Sequence, residues 1–191
     1  MAAEDRHVSP YSLQEKVLRM LWALTQATFF RFSFHSWYGW RRFLLRSYGA
    51  TVGDSSVIRR TVNIECPWNL TMGENSCLGD GVIVYCLGKV TIGDRVSISQ
   101  YAHICAGTHD YSQEDMPLLR PPITISDDVW LGADSFVGPN VTIGEGAILG
   151  ARGVAMRDLD AKTIYAGNPA TILKKRDSFV TVTPSEKSSE K

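Results

Sequence analysis

Aliphatic side chains recur at every sixth position through the middle of this 191-residue chain, and this period constrains the fold more than any other feature. A six-residue period is a signature of a parallel β-helix, in which three hexapeptides form one triangular coil. A single coil cannot bury its own apolar side chains, so about five coils must stack. The repeating positions are Val52, Ile58, Ile64, Met72, Leu78, Val84, Ile92, Ile98, Ile104, Ile125, Leu131, Val137, Ile143, Leu149 and Ala155.

Small residues accompany the aliphatic ones at fixed offsets. Eight of the fifteen aliphatic residues are followed directly by glycine, and we expect this glycine to ease the bend near a corner, where a positive φ favours it. Four places after the aliphatic residue stands a small or β-branched residue, which we expect where the space inside the coil is restricted. Examples are Ser76, Val96, Ala102, Ser135, Val141 and Ala147.

One coil carries an insertion. The coils that begin at Val52, Met72 and Ile125 have the expected length of about three hexapeptides, but 33 residues separate Ile92 from Ile125. The additional residues fall at about 106–122, in the segment AGTHDYSQEDMPLLRPP. A long loop in a regular scaffold is more often functional than accidental, so this insertion is the first place to look for a site.

The chain divides into an N-terminal helical cap (1–50), the repeat region (51–166) and a C-terminal segment (167–191). Residues 11–30 have helical spacing, with Ser12 as N-cap and Glu15 completing a capping box. Val17, Leu21 and Leu24 lie on one apolar stripe of this helix, beside Trp22.

Short helices are expected at both ends of the repeats. Residues 40–48 predict a second helix whose bulky face covers the open end of the first coil, because terminal repeats need caps. Residues 170–176, after Gly167-Asn168-Pro169, predict a short C-terminal helix. Aromatic and basic residues mix at 37–46, which is typical of end capping or subunit packing, and also of a peripheral helix at a membrane surface. We favour capping or subunit packing.

Composition excludes several functional classes. The formal net charge is zero, so nothing indicates the basic footprint of a nucleic-acid-binding protein. The four cysteines lack a paired ligand spacing, and we expect free thiols in a reducing compartment. The N-terminus lacks the pattern of a secretory signal, and the apolar stretch at 20–30 is too short to cross a bilayer. We therefore expect a cytoplasmic protein.

His109 is the main catalytic candidate. It follows Gly107-Thr108, where the regular repeat gives way to the insertion. An imidazole can take a proton and return it near neutral pH, because its unperturbed pKa is about 6.5. The flat aliphatic sides of a β-helix offer few reactive groups, so we expect the chemistry in a groove between the loop and a neighbouring subunit.

Residues 52–176 resemble the hexapeptide-repeat acyltransferases that use coenzyme A, and most of all the sugar O-acetyltransferases. The motifs are GTHDY (107–111), ITISDDVWLGADSFVGPNVTIGEGAILGARGVAMRDL (123–159) and YAGNPATILKKR (165–176). SWYGWRRFLLRSYGATVG (36–53) and ISQYAHICAGTHDYS (98–112) further resemble the colanic-acid-biosynthesis acetyltransferases. The resemblance implies an all-β fold, a left-handed parallel β-helix, with acetyl-CoA as acyl donor and a homotrimeric assembly.

The resemblance also implies roles for individual residues. His109 corresponds to the general base that deprotonates the acceptor hydroxyl, which then attacks the thioester of acetyl-CoA directly. Contacts to the cofactor fall on Trp130, Ala133, Ala151, Met156, Arg157, Thr171 and Lys174. Arg157 and Lys174, with Lys175 or Arg176, are the candidates for its phosphates.

The acceptor side of the site departs from the family pattern. The acceptor-binding asparagine of the galactoside and maltose enzymes has no counterpart, and Asp80 and Tyr85 are the nearest polar candidates. No acidic partner for the His109 ring can be assigned, although Asp110 and Glu114 are adjacent in sequence.

The expected function is transfer of acetyl from acetyl-CoA to a hydroxyl of a saccharide, as a nucleotide-sugar or a lipid-linked intermediate of exopolysaccharide biosynthesis. One alternative is a zinc enzyme of the γ-carbonic-anhydrase type. It needs three converging histidines, whereas His103 and His109 are only two, six residues apart. The other alternative is a non-catalytic structural β-helix protein. No metal site and no nucleic-acid partner are expected.

Overall fold

Three parallel sheets form the sides of a triangular prism in the computed structural model, which describes residues 9–176. Sheet A contains β1 (Thr51–Val52), β4 (Leu70–Met72), β7 (Val90–Ile92), β12 (Ile123–Ile125) and β15 (Thr142–Ile143). Sheet B contains β2 (Val57–Ile58), β5 (Cys77–Leu78), β8 (Ser97–Ile98), β13 (Trp130–Leu131), β16 (Ile148–Leu149), β18 (Thr163–Ala166) and β19 (Thr171–Lys175). Sheet C contains β3 (Asn63–Ile64), β6 (Ile83–Tyr85), β9 (His103–Cys105), β14 (Phe136–Val137) and β17 (Val154–Ala155).

The repeat predicts this architecture correctly. The chain forms five complete coils of a left-handed β-helix and part of a sixth, in which Leu159 bridges to Ile143 and β18 pairs with β16. All fifteen repeating aliphatic side chains are buried, and none is more than 4% exposed. Each stacks on its counterpart in the next coil, as Ile58 does on Leu78. The core is therefore one continuous apolar column along the prism axis.

The glycines that follow eight of the aliphatic residues have a different role from the one expected. Left-handed φ angles occur two places further along the corner, for example 55° at Asn75 and 61° at Asn140. The glycine is needed because successive coils approach closely at its position. A Cβ atom added at Gly132 would lie 2.5 Å from the backbone nitrogen of Ala151 in the next coil.

The N-terminal cap consists of α1 (Leu13–Thr25), a π-helical turn (Gln26–Phe30) and α2 (Tyr38–Ser47). Ser12 is the N-cap of α1, as expected, and its Oγ accepts the Glu15 N–H at 3.1 Å. Within residues 9–176 no helix is both long and apolar enough to cross a bilayer.

The apolar stripe of α1 does not pack against the prism. The side chains of Val17, Leu21 and Leu24 are 45%, 49% and 59% exposed, whereas Trp22 and Phe30 are buried. The reason is that the indole Nε1–H of Trp22 donates to the carbonyl of Ile64 at 2.6 Å, which turns this side of α1 toward the first coil.

The cap satisfies backbone groups that the first coil leaves without partners. In later coils the carbonyl of an inward residue accepts from the preceding coil, as Ile92 does from the Gly73 N–H at 2.9 Å. The first coil has no preceding coil, and buried carbonyls need a donor. Side chains of the cap supply these donors. Arg46 Nε donates to the carbonyl of Val52 at 3.0 Å, and Arg41 Nε donates to that of Ile58 at 2.6 Å. Trp22 Nε1 donates to the carbonyl of Ile64 at 2.6 Å.

The expected C-terminal helix is also wrong. Residues 171–175 form strand β19, which pairs antiparallel with β18. Strand β18 would otherwise end sheet B with an unpaired edge, and the β-branched residues Thr171 and Ile172 suit a strand that pairs with it. The first eight residues of the expected cap and residues 177–191 of the expected C-terminal segment lie outside the described residues.

Candidate active site

The insertion forms a hairpin that leaves the prism at the corner between sheets C and A. Its strands, β10 (Thr108–His109) and β11 (Leu118–Leu119), pair antiparallel, with His109 opposite Leu118. His109 is exposed, and its Nδ1 lies 2.6 Å from the carbonyl oxygen of Met116. A carbonyl can only accept a hydrogen bond, so Nδ1 carries the proton in this contact. Nε2 of the neutral ring then keeps a lone pair that can accept a proton from a hydroxyl.

The hydrogen bond with the backbone carbonyl of Met116 orients the His109 ring. Met116 has a left-handed φ of 48°, and its carbonyl points across the hairpin to the imidazole. The Asp110 carboxylate accepts hydrogen bonds from Ser112 and Gln113, which lower the pKa of Asp110. Asp110 therefore shapes the turn of the hairpin. Sequence reasoning missed Met116 because any residue can supply a carbonyl.

The two acceptor-side candidates lie at different places. Tyr85 lies under the base of the hairpin, where a Cβ atom added at Gly107 would be 3.0 Å from its ring. Burial raises the pKa of Tyr85. Asp80 lies at the corner between sheets B and C, where it accepts a hydrogen bond from Thr61 Oγ1 at 2.6 Å. Within one chain, only Tyr85 adjoins the hairpin that carries His109.

Three of the residues assigned to the cofactor line one cleft. Met156, Arg157 and Thr171 surround a volume of about 550 Å³ next to Tyr165 and Pro169. Met156 and Arg157 follow β17 at the corner between sheets C and A, the same edge from which the hairpin leaves two coils earlier. At about 4.8 Å per coil, the cleft and the hairpin base are about 10 Å apart along this edge.

Two of the four basic residues near this cleft donate hydrogen bonds to other parts of the chain. Arg157 and Lys174 are exposed. By contrast, the Lys175 Nζ donates to Thr163 Oγ1 at 2.9 Å, and the Arg176 guanidinium donates to the carbonyl of Gly146 at 2.8 Å. Arg157 and Lys174 are therefore the cations best placed to meet a phosphate.

A second group of assigned residues lies on the opposite edge of sheet C. Trp130 is 49% exposed on the outer face of sheet B, and its Nε1–H donates to Ser99 Oγ at 3.0 Å. Ala133 and Ala151 lie at the corner between sheets B and C, one coil apart. The sequence did not identify Ser99, which holds the indole against the sheet.

Sheet C separates these two groups within a single chain. Its outer face carries the apolar side chains of Ile83, Phe136 and Val154. His103 lies between Ile83 and Phe136, with its ring 5.3 Å from the Phe136 ring. Its Nε2 is buried without a hydrogen-bond partner, and burial lowers the pKa of His103. A cleft that joins the two groups therefore needs a second copy of the chain.

His103 and His109 do not converge on a common point. His103 belongs to sheet C and His109 to the hairpin, and among residues 9–176 no three histidine, cysteine or acidic side chains are close enough to hold a metal. The cysteines are free, as expected. Burial raises the pKa of Cys66 to about 12 and that of Cys86 to about 11, so both thiols stay protonated at neutral pH.

Comparison with known proteins gives three results. Residues 122–154 match the family model described as bacterial transferase hexapeptide (six repeats). Over 156 residues the chain is 43% identical to a protein of Escherichia coli (strain K12) named as the colanic acid biosynthesis acetyltransferase WcaF, covering 82% of this chain and 86% of the relative.

Solved structures of similar fold are more distant in sequence. A maltose O-acetyltransferase from Clostridium difficile 630 has a TM-score of 0.76 at 24% identity, covering 88% of this chain and 92% of its own. A hexapeptide-repeat acetyltransferase from Vibrio cholerae, solved in complex with acetyl coenzyme A, has a TM-score of 0.79 at 22% identity. The match covers 93% of this chain and 97% of the Vibrio cholerae chain.

Proposed function

Because this chain belongs to the hexapeptide-repeat acetyltransferases, we propose that it transfers acetyl from acetyl-CoA to a hydroxyl of a saccharide. The relative named for colanic acid biosynthesis supports an acceptor from exopolysaccharide assembly. The acetyl-CoA bound to the Vibrio cholerae structure supports this thioester as the donor.

The observation that carries the proposal is the fixed tautomer of His109. With Nδ1–H donated to the Met116 carbonyl, Nε2 is left to take the proton of an acceptor hydroxyl. The hydroxyl oxygen then attacks the thioester carbonyl, and the proton leaves with the coenzyme A thiol. A positioned base of this kind contributes roughly 10²–10⁴-fold to the rate.

The cofactor lies, in this proposal, along the edge from the hairpin to the cleft of Met156, Arg157 and Thr171. Arg157 and Lys174 are exposed cations that bind its phosphates. Ala133 and Ala151 have short side chains, so a pantetheine arm can approach the backbone of their corner. That corner is on the other edge of sheet C, and a neighbouring protomer supplies it.

The assembly that meets this requirement is a trimer with sheet C of each protomer facing the three-fold axis. The corner between sheets C and A of one protomer then adjoins the corner between sheets B and C of the next. The apolar outer face of sheet C, with Ile83, Phe136 and Val154, suits burial between subunits. Each of the three sites would combine residues of two chains.

A test combines acceptor screening with a histidine substitution. Purified protein is incubated with acetyl-CoA and a panel of nucleotide-sugars and lipid-linked saccharides, and release of free thiol is measured. On the best acceptor we expect His109→Ala to lower kcat by roughly 10²–10⁴-fold, because the proton acceptor is removed. His35→Ala, which removes an exposed imidazole from the cap, is the matched control and should change kcat by less than about twofold.

Two outcomes would contradict the proposal. Thiol release by His109→Ala at the native rate would exclude this residue as the base. Failure of every saccharide to accelerate thiol release would exclude the acceptor class.

A further inference from the structure

The cap exposes an unusual number of aromatic rings. Six of the fifteen residues from 29 to 43 are aromatic side chains that the fold leaves in solvent. Phe34 and Trp37 have ring centroids 5.0 Å apart, and Trp40 stacks on Phe43 at 5.7 Å. The exposures are Phe29 64%, Phe32 81%, Phe34 68%, Trp37 51%, Trp40 38% and Phe43 57%. We call these six side chains the aromatic face.

The aromatic face is not needed to close the prism. The first coil is already covered by buried Trp22, Phe30, Leu44 and Leu45, and its carbonyls receive hydrogen bonds from the cap side chains described above. A protein rarely exposes so many large apolar side chains within one segment unless they contact a partner or a membrane. We therefore expect the aromatic face to bind a partner or a membrane.

Charge identifies the class of that ligand. Residues 9–50 contain six lysines and arginines and one acidic residue, Glu15, which forms an ion pair with Arg120. Of the six cations, Arg41 is buried, and Arg19 and Arg46 form ion pairs with Glu65 and Asp54. Arg31 and Arg60 line one groove of about 340 Å³ beside the π-helical turn, and neither forms an ion pair with another described residue. Two exposed arginines in one groove beside exposed aromatic rings are complementary to an anionic lipid bilayer.

We propose that the cap binds the surface of an anionic lipid bilayer. The rings of the aromatic face enter the interfacial region, where tryptophan and phenylalanine are favoured, and Arg31 and Arg60 bind lipid phosphates. The proposal is independent of the acetyl-transfer reaction, because none of these residues belongs to the His109 hairpin or to the cofactor cleft.

Helix α1 lies between the hairpin contact and the aromatic face along the chain. It has 13 residues, so it is about 20 Å long. Near its start Glu15 pairs with Arg120 at the base of the hairpin, and the aromatic face follows its end. In this proposal the lipid contacts are therefore made beyond the end of α1 that is remote from the hairpin.

The test is co-sedimentation of the full chain with vesicles of phosphatidylcholine alone or with 30% phosphatidylglycerol. We expect binding to the anionic vesicles only, weakened at 0.5 M salt because the arginine contribution is screened. Phe32→Ser combined with Phe34→Ser should lower the partition coefficient at least tenfold. Leu173→Ser is the matched control: it removes a 64% exposed apolar side chain from the far end of the prism and should leave binding unchanged.

A charge variant and a mass measurement complete the design. Arg31→Glu combined with Arg60→Glu should abolish the preference for phosphatidylglycerol while the thermal transition stays that of the native protein. Sedimentation velocity of the Phe32→Ser, Phe34→Ser protein should give the native mass. The proposal is overturned if the native protein ignores anionic vesicles, if it binds neutral ones equally well, or if the double serine variant changes oligomeric state, which would make the aromatic face a contact between copies.

Discussion

Gly144 lies directly against the next coil, so that a Cβ atom added there would be 2.4 Å from the backbone nitrogen of Ala161. Backbone of a packed coil cannot move aside as a flexible side chain can. The same close approach recurs at Gly132, which has Ala151 as its neighbour. At these positions the distance between coils, rather than the φ angle, requires glycine.

We predict that Gly144→Ala destabilises the fold by roughly 1–3 kcal/mol, because the methyl group overpacks against fixed backbone. The measurement is the midpoint of thermal or urea unfolding. Gly39→Ala is the control, since its nearest neighbour would be 3.8 Å away and alanine favours the helix by up to about 1 kcal/mol. An unfolding midpoint for Gly144→Ala equal to that of the native protein would contradict the close-approach argument.

For single residues, the sequence predicts where a residue lies in the fold better than it predicts which contact requires that residue there. The inward residues and the position of His109 follow from the repeat and its interruption. The contact that orients the His109 ring does not, because it comes from the carbonyl of Met116, and no side-chain type marks a carbonyl as an orienting group. Distances between coils likewise depend on stacking, which one hexapeptide does not reveal.

Arg41 shows how the cap and the first coil depend on each other. Its side chain is fully buried, and its guanidinium donates to the carbonyls of Ile58, Phe34 and His35 at 2.6–2.8 Å and to Ser33 Oγ at 2.7 Å. Burial lowers the pKa of Arg41. One side chain thereby joins the loop before α2 to the open end of the prism.

We predict that Arg41→Met destabilises the protein by about 3 kcal/mol or more, because several buried acceptors lose their donor and each unsatisfied group costs about 1–3 kcal/mol. Arg42→Met is the matched control: Arg42 donates to one carbonyl, that of Ser56 at 2.8 Å, and its loss should cost about 1 kcal/mol. Equal unfolding midpoints for the two variants would show that Arg41 does not stabilise the contact between the cap and the first coil more than Arg42 does.

In two elements outside the repeat, helix α1 and strand β19, the sequence pattern does not determine the packing. Val17, Leu21 and Leu24 form an apolar stripe whether or not the protein buries it, and periodicity alone cannot distinguish these cases. Residues 171–175 are a strand because β18 leaves an edge to be paired, which is a property of the assembled sheet. In the repeat region, by contrast, the residues that pack on each other are those of successive coils, and the sequence period identifies them.

The outer faces of sheets A and C differ in chemistry, and this difference bears on how copies of the chain would pack together. Sheet A presents a ladder of exposed threonines in register. Sheet C presents Ile83, His103, Phe136 and Val154, and its two edges carry the two halves of the proposed site. Burial of the threonine hydroxyls of sheet A would cost desolvation free energy, whereas burial of the apolar side chains of sheet C costs little. The proposed trimer therefore buries sheet C.

We predict that Ile83→Glu yields a monomer, because three carboxylates would meet near the three-fold axis in an apolar interface. Ile83 is 37% exposed in the single chain, so the substitution should leave the prism folded. Acetyl transfer should fall at least tenfold, since each site would lose the Ala133 and Ala151 corner of its neighbour. The control is Thr91→Glu on sheet A, which should remain a fully active trimer. Sedimentation velocity and thiol release measure the two properties on the same samples, and a monomer with native activity would show that one chain contains the complete site.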